Sequence, residues 1–141
     1  MRLLDTFSGI GGFSLGLERA GFETIAFCEI NEYAQKVLAK HWPEVPIYGD
    51  IKGLTAKRLA SDGIANIDTN TGGFPCQDIS NLGSQEGIEG ERSGLWKELC
   101  RLISELQPRV AVLETVTALL SGGEGGWFGE VIGALAINGN D

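Results

Sequence analysis

The stretch Leu3-Leu4-Asp5-Thr6-Phe7-Ser8-Gly9-Ile10-Gly11-Gly12 constrains this chain more than any other. An apolar start of strand length enters a glycine turn, and Phe13, Leu15, Leu17 and Ala20 follow at roughly helical spacing. The reading is strand, turn, helix, with side chains absent where a ligand could approach the backbone at a helix amino terminus. A dinucleotide fingerprint would need a third glycine at position 14, which is Ser14, so an NAD site is disfavoured.

The same alternation continues along the chain. Gly21 ends the first helix, Thr24 to Cys28 is a short apolar strand, and Glu29 stands at its carboxyl end. Asn31 can cap a second helix through Tyr33, Val37 and Leu38 to His41, and Pro43 and Pro46 break the chain before an Ile47-Tyr48 strand closed by Gly49-Asp50-Ile51. A polar helix around Ala56 to Leu59 and a run ending at Thr71 lead to Gly72-Gly73-Phe74-Pro75-Cys76-Gln77, where a strand ends in a loop. Residues 78–94, with Gly83, Gly87, Gly90 and Gly94, suit a mobile loop. Leu95, Leu99, Leu102, Ile103 and Leu106 form one helical stripe, and Val110 to Leu113 is expected as a buried strand ending at Glu114. A glycine-rich link from Ser121 to Gly126 precedes a last helix through Phe128, Val131, Ile132 and Leu135.

Five strands alternating with helices predict a parallel α/β sheet, whose ligands sit at the carboxyl ends of the strands. Glu29, Asp50, Cys76 and Glu114 each follow an apolar run, so this topology would gather them on one rim.

Bulk properties narrow the function. The 141 residues suffice for one domain, and no apolar stretch reaches the roughly 20 residues of a spanning helix. With no signal-peptide core at the amino terminus, the cytoplasm is the default and no membrane partner is expected. Three widely spaced cysteines, Cys28, Cys76 and Cys100, argue against a disulfide framework or a cysteine metal site, so no metal is expected. Eleven basic against 19 acidic residues give a net charge of −8, the wrong sign for a broad grip on a phosphate backbone.

At the rim, Glu29 is placed to accept hydrogen bonds from ribose hydroxyls, although a solvated charge at a strand end is the bland alternative. Asp50 reads equally as a turn residue. Cys28 and Cys100 lie in apolar stripes and read as core. Cys76, in a loop between Pro75 and Gln77, suits a nucleophilic thiol, with Asp78 opposing its ionisation unless it points away. Glu114 after four apolar residues is expected at the core's edge, where restricted solvation would raise its pKa and let it donate a proton. A cap for the following turn is its bland reading.

Asp5 to Phe13, Gly49-Asp50-Ile51, Gly72 to Ser80, Gly90 to Trp96 and Pro108 to Val116 together resemble, in order, the consecutive motifs of DNA (cytosine-5)-methyltransferases. Phe74-Pro75-Cys76-Gln77 is more like the DNA enzymes than the related tRNA methyltransferases. The resemblance implies a Rossmann-like S-adenosylmethionine-dependent methyltransferase fold of α/β class, incomplete at the carboxyl end. Residues 1–141 would form a partial cofactor-binding and catalytic domain, of the kind found in restriction-modification, with the target-recognition domain absent. It implies that Phe7, Ile10, Gly11 and Gly12 hold S-adenosylmethionine, with Glu29 on its ribose, Ile30 against adenine, and Asp50, Ile51 and Leu95 completing the adenine pocket. Cys76 would attack carbon 6 of a cytosine flipped from double-stranded DNA while Glu114 engages ring nitrogen 3 and the amino group. Pro75, Gln77, Ser80 and Arg92 would contact the DNA substrate, and residues from about Asn81 to Arg92 resemble the loop that closes over the flipped base.

The chain departs from the family pattern in two places. Thr115 stands where asparagine usually follows the glutamate, and a hydroxyl cannot reproduce an amide's paired donor and acceptor. The later motifs and the recognition half are absent, in keeping with the acidic charge. Three readings follow: a partial domain inactive alone, one subunit of a split methyltransferase activated by a second chain, or a non-catalytic cofactor-binding or interaction module. A sheet stopping after Val110 to Leu113 would expose an apolar edge, so self-association or marginal stability is expected.

Overall fold

The computed structural model describes residues 1–75, 95–121 and 126–137. It divides into two compact units: Met1–Gly73 with Pro108–Leu113, and Phe74–Gln107 with Glu114–Asp141.

The first unit is built on strands β1 (Arg2–Thr6), β2 (Glu23–Cys28), β3 (Ile47–Tyr48), β4 (Thr69–Gly73) and β5 (Val110–Glu114), the last residue of β5 lying in the second unit. Their order across the sheet is β3-β2-β1-β4-β5, and β1 pairs in parallel with both β2 and β4, as β2 does with β3. Parallel neighbours need crossovers, supplied by helices α1 (Gly12–Glu18) between β1 and β2 and α2 (Glu32–His41) between β2 and β3. The expected five strands and their alternation with helices are therefore present.

Local chemistry explains the helix ends. Asn31 caps α2 by accepting the Ala34 amide at 3.0 Å, and Lys40 and His41 in the last turn favour its negative end. Gly21, at φ 88, makes the left-handed turn out of α1. Asp50 accepts the Lys52 amide at 2.9 Å to open a 3-10 turn, Ile51–Gly53, and Thr55 caps helix α3 (Ala56–Ser61) through the Arg58 amide. The core of this unit is Leu3, Leu4, Ala26, Phe27, Leu38, Leu54 and Leu59, each fully buried or nearly so.

One finding differs from the sequence expectation, and one expected strand is unusual in composition. β5, expected as a buried strand, is largely exposed, with Val110 45% and Val112 38% accessible. It lies at the edge of the sheet's strand order, so it lacks a neighbour on one side among the described residues. β4, in contrast, is buried although its sequence is Thr69-Asn70-Thr71-Gly72-Gly73. A strand buried on both faces ordinarily reads as an apolar run. Here the Asn70 amide nitrogen donates to the Leu4 and Thr71 carbonyls, while Asn70 Oδ1 and Thr69 Oγ1 find no hydrogen-bond partner among the described residues.

In the second unit, α4 (Leu95–Leu106) buries Trp96, Leu99, Cys100, Leu102 and Ile103, a stripe at helical spacing. Arg101 pairs with Glu98 and Glu105 on the same helix at 2.9 and 2.6 Å. A four-residue helix, α5 (Ala118–Ser121), precedes the expected glycine-rich link, and α6 (Gly126–Ile137) packs with both α4 and α5. No helix among the described residues is long and apolar enough to cross a membrane.

A buried amide oxygen without a donor costs about 1–3 kcal/mol. Replacing Asn70 by Val removes that oxygen together with the amide bonds to the Leu4 and Thr71 carbonyls, so the two effects offset and urea denaturation should show a change in unfolding free energy of no more than about 1 kcal/mol.

Candidate cofactor site at the carboxyl ends of the strands

Strand register creates the site. Thr6 pairs with Cys28 on one side and Gly72 on the other, and Cys28 pairs with Tyr48, so four strands bring these residues into one row. The next residue of each strand stands at a common edge. Two backbone bonds extend the pairing past the row: the Ser8 amide donates to the Cys28 carbonyl at 3.2 Å, and the Glu29 amide to the Tyr48 carbonyl at 2.8 Å.

The turn after β1 is left-handed at three positions, Phe7 (φ 51), Gly9 (φ 53) and Gly11 (φ 91). Such angles favour glycine and are uncommon for a residue like Phe7. Gly11 is also fixed by packing, since a Cβ there would lie 2.6 Å from Cζ3 and 2.7 Å from Cη2 of Trp42. Trp42 is itself anchored: its indole N–H donates to both Glu18 carboxylate oxygens at 2.9 and 3.0 Å, and its ring meets Phe27 edge-on at 5.2 Å. Above Gly9 and Gly12 there is open space instead, since a Cβ at either would meet nothing within 4 Å.

Glu29 joins the second strand end to this turn. Its Oε2 accepts the Gly9 amide and its Oε1 the Asn31 amide, both at 2.7 Å. Each carboxylate oxygen has two lone pairs, so the pair of backbone bonds orients the group and leaves acceptor capacity on both oxygens. A vicinal diol matches that remaining capacity. The nearby Gln35 side chain donates to the Glu29 carbonyl at 2.6 Å and holds the strand end in place.

Acidic charge concentrates here. Burial pushes the Cys28 thiol up to about 12, with the charges of Asp50 and Glu29 adding to the effect. Cys28 is therefore an inert core thiol, as is Cys100, which burial raises to about 11. Asp5, wholly buried, is also raised, first by burial and slightly by Glu29, against hydrogen bonds from Ser14 and Thr71 that lower it. No group of three or more potential ligands among the described residues could hold a metal ion.

The structure thus gathers Phe7, Ile10, Gly11, Gly12, Glu29, Ile30, Asp50 and Ile51 around the ends of β1, β2 and β3. Ile10 and Ile30 are 63% and 70% exposed, apolar surface that an aromatic or aliphatic ligand could cover. Asp50 is exposed, whereas the Ile51 side chain is buried. Pro75 and Leu95, both half-buried, and Glu114 belong to the second unit. Glu114 is exposed, which corrects the expectation of restricted solvation: it ends β5, which is the last strand of the sheet order among the described residues. Cys76, Gln77, Ser80 and Arg92, with the loop expected from Asn81 to Arg92, lie outside the described residues. Trp42 is not singled out by the sequence, and Asp5 stands there within the glycine-turn motif without a role of its own. Asp5 had a signal, an acidic residue inside an apolar strand, but Trp42 had none beyond its size.

With the site's geometry established, comparison with known proteins gives it a family. The profile described as C-5 cytosine-specific DNA methylase matches residues 1–139. The chain belongs to that family. It is 40% identical over 124 residues to the Type II methyltransferase M2.BsuMI of Bacillus subtilis (strain 168), covering 85% of this chain and 30% of that protein. It is 37% identical over 116 residues to M.HhaI of Haemophilus parahaemolyticus, covering 82% and 34%. A solved E. coli structure of a prophage-encoded protein, described as a DNA modification methyltransferase, superposes with a TM-score of 0.80 at 29% identity over 96% of this chain and 38% of that one. The chain thus spans about a third of the length of the curated relatives it matches. The fold is the Rossmann-like one of S-adenosylmethionine-dependent methyltransferases, and S-adenosylmethionine is the methyl donor of this C-5 cytosine methylase family.

Gly11→Ala is expected to cost about 2–5 kcal/mol, from the left-handed backbone and from overlap with the Trp42 ring. In a double-mutant cycle with Trp42→Leu, urea denaturation should recover the overlap part and leave the backbone part.

Proposed function

We propose that this chain carries the S-adenosylmethionine site and the nucleophile of a DNA (cytosine-5)-methyltransferase, and that a recognition portion beyond these residues supplies most of the grip on DNA. The observation that carries this reading is the Glu29 carboxylate, held by the Gly9 and Asn31 amides beside an open glycine turn. Glu29 binds the ribose hydroxyls, Ile30 and Ile10 cover apolar parts of the cofactor, and Phe7, Gly11 and Gly12 shape the turn around it. Asp50, Ile51 and Leu95 complete the adenine end. When bound, the cofactor supplies the methyl group.

The chemistry falls to two side chains. The Cys76 thiolate adds to carbon 6 of a cytosine rotated out of double-stranded DNA, while Glu114 engages ring nitrogen 3 and the amino group. Carbon 5 then carries the electron density that would take the methyl group, the S–CH3 bond of the cofactor breaking and its sulfur leaving as a neutral thioether. Removal of the carbon 5 proton by a base and expulsion of the Cys76 thiolate restore the ring. Pro75, Gln77, Ser80 and Arg92 contact the DNA. Thr115, in place of the family's usual asparagine, offers a single hydroxyl where an amide would offer both a donor and an acceptor.

The net charge of −8 favours a separate source of DNA affinity, either a further portion of the same polypeptide or a second subunit. The exposed edge of β5 makes self-association the competing fate of the chain on its own. A bacterial modification system would place the protein in the cytoplasm.

Calorimetric titration with S-adenosylmethionine tests the site. The wild-type chain should bind, and Glu29→Ala should weaken binding roughly a hundredfold, as expected for losing hydrogen bonds to a charged group. Wild-type binding left unchanged by Glu29→Ala would defeat this assignment. With the recognition portion supplied in trans, methylation of DNA should appear and should vanish in Cys76→Ala.

A further inference from the structure

The helix that follows the glycine turn has no cap of its own. Its N-cap residue is Gly11, which makes no side-chain bond, and a side chain there is excluded by the Trp42 ring. An N-cap side chain ordinarily accepts the amide of the second or third helical residue. In this chain the third residue is Ser14, and its amide donates to Oδ2 of Asp5 at 3.3 Å, with its hydroxyl donating to the same oxygen at 2.7 Å. Asp5 is not in the helix. It sits in β1, wholly buried, and its other oxygen accepts the Thr71 hydroxyl at 2.7 Å. Thr71 is the register partner of Asp5 on β4, the strand that runs on through Gly73 toward Pro75 and Cys76.

A buried carboxylate is poor value for stability, because desolvation offsets most of what its hydrogen bonds contribute. Its worth here is geometric. Capping from inside the sheet satisfies the start of α1 while the rim of the turn stays free of side chains. We propose that Asp5 is a positioning residue for the cofactor turn, acting as a remote cap through Ser14 and tying that turn through Thr71 to the strand leading to the nucleophile. This rests on the reading of the turn as an S-adenosylmethionine site.

Four variants of the full chain test it: Asp5→Asn, Ser14→Ala, Thr71→Val and Thr71→Ser. Two readouts are used, S-adenosylmethionine affinity by calorimetry and amide hydrogen exchange without ligand. In Asp5→Asn one hydroxyl faces an amide nitrogen in place of an acceptor. Affinity should fall about tenfold, and exchange at Gly9, Gly11 and Ser14 should quicken at least tenfold while Leu4 and Ala26 keep the wild-type rate. Ser14→Ala and Thr71→Val should fall between, and Thr71→Ser should restore wild-type behaviour. Unchanged exchange at the turn would overturn the proposal, as would a uniform acceleration that includes Ala26, since that marks a general loss of stability. If Asp5→Asn does not fold, Thr71→Val against Thr71→Ser gives the same decision. If the wild-type chain binds no cofactor, the function reading falls, and the exchange comparison still decides the cap.

Discussion

The parallel pairing of β1 with β2 on one side and β4 on the other is the constraint on which the site depends. It sets Thr6, Cys28 and Gly72 in one row, with Tyr48 continuing that row through β2 and β3. The candidate cofactor residues of the first unit follow that row: Phe7 to Gly12 after β1, Glu29 and Ile30 after β2, and Asp50 and Ile51 after β3. Because a slip of one residue would invert every side chain of a strand, the fully buried Leu3, Leu4, Ala26 and Phe27 also fix which residues reach the edge.

On that frame the turn after β1 is held from several directions. Glu29 takes the Gly9 amide from the neighbouring strand end, Trp42 fills the space beside Gly11, and Asp5 reaches up from below to Ser14. Three groups from three elements thus converge on eight residues of backbone, Phe7 to Ser14. This is the arrangement expected where a backbone must present itself to a ligand in a conformation it would not hold alone. The left-handed Phe7, at φ 51, is the cost of that arrangement in a single residue.

Much of this was legible in the sequence because its signals were local. The glycine turn, the Asn31 cap, the left-handed Gly21 and the acidic residues after β2 and β3 all announce themselves through residue type and spacing. The exposure of β5 was not, since Val110-Ala111-Val112-Leu113 reads as a buried run and only the strand order shows that it is an edge. Glu114 ends that strand and is exposed with it. β4 was legible as a strand ending near Thr71, but not as a fully buried one, since Thr69, Asn70 and Thr71 are polar and only pairing with β1 makes them core. Contacts between distant residues, such as Trp42 with Gly11, leave no mark in a single sequence. Residue type and position already pointed to Cys76 as a nucleophile and Glu114 as an acid; the family resemblance added the cytosine they would act on, and the match over residues 1–139 supports the family itself.

The most direct test of the account follows individual backbone amides by NMR as S-adenosylmethionine is added to the chain. The account predicts the largest changes at Gly9, Gly11, Gly12, Glu29, Ile30 and Asn31, with a second set at Asp50 and Ile51, and little change along α3. Perturbations absent from the turn and from Glu29, or centred on another part of the first unit, would contradict it.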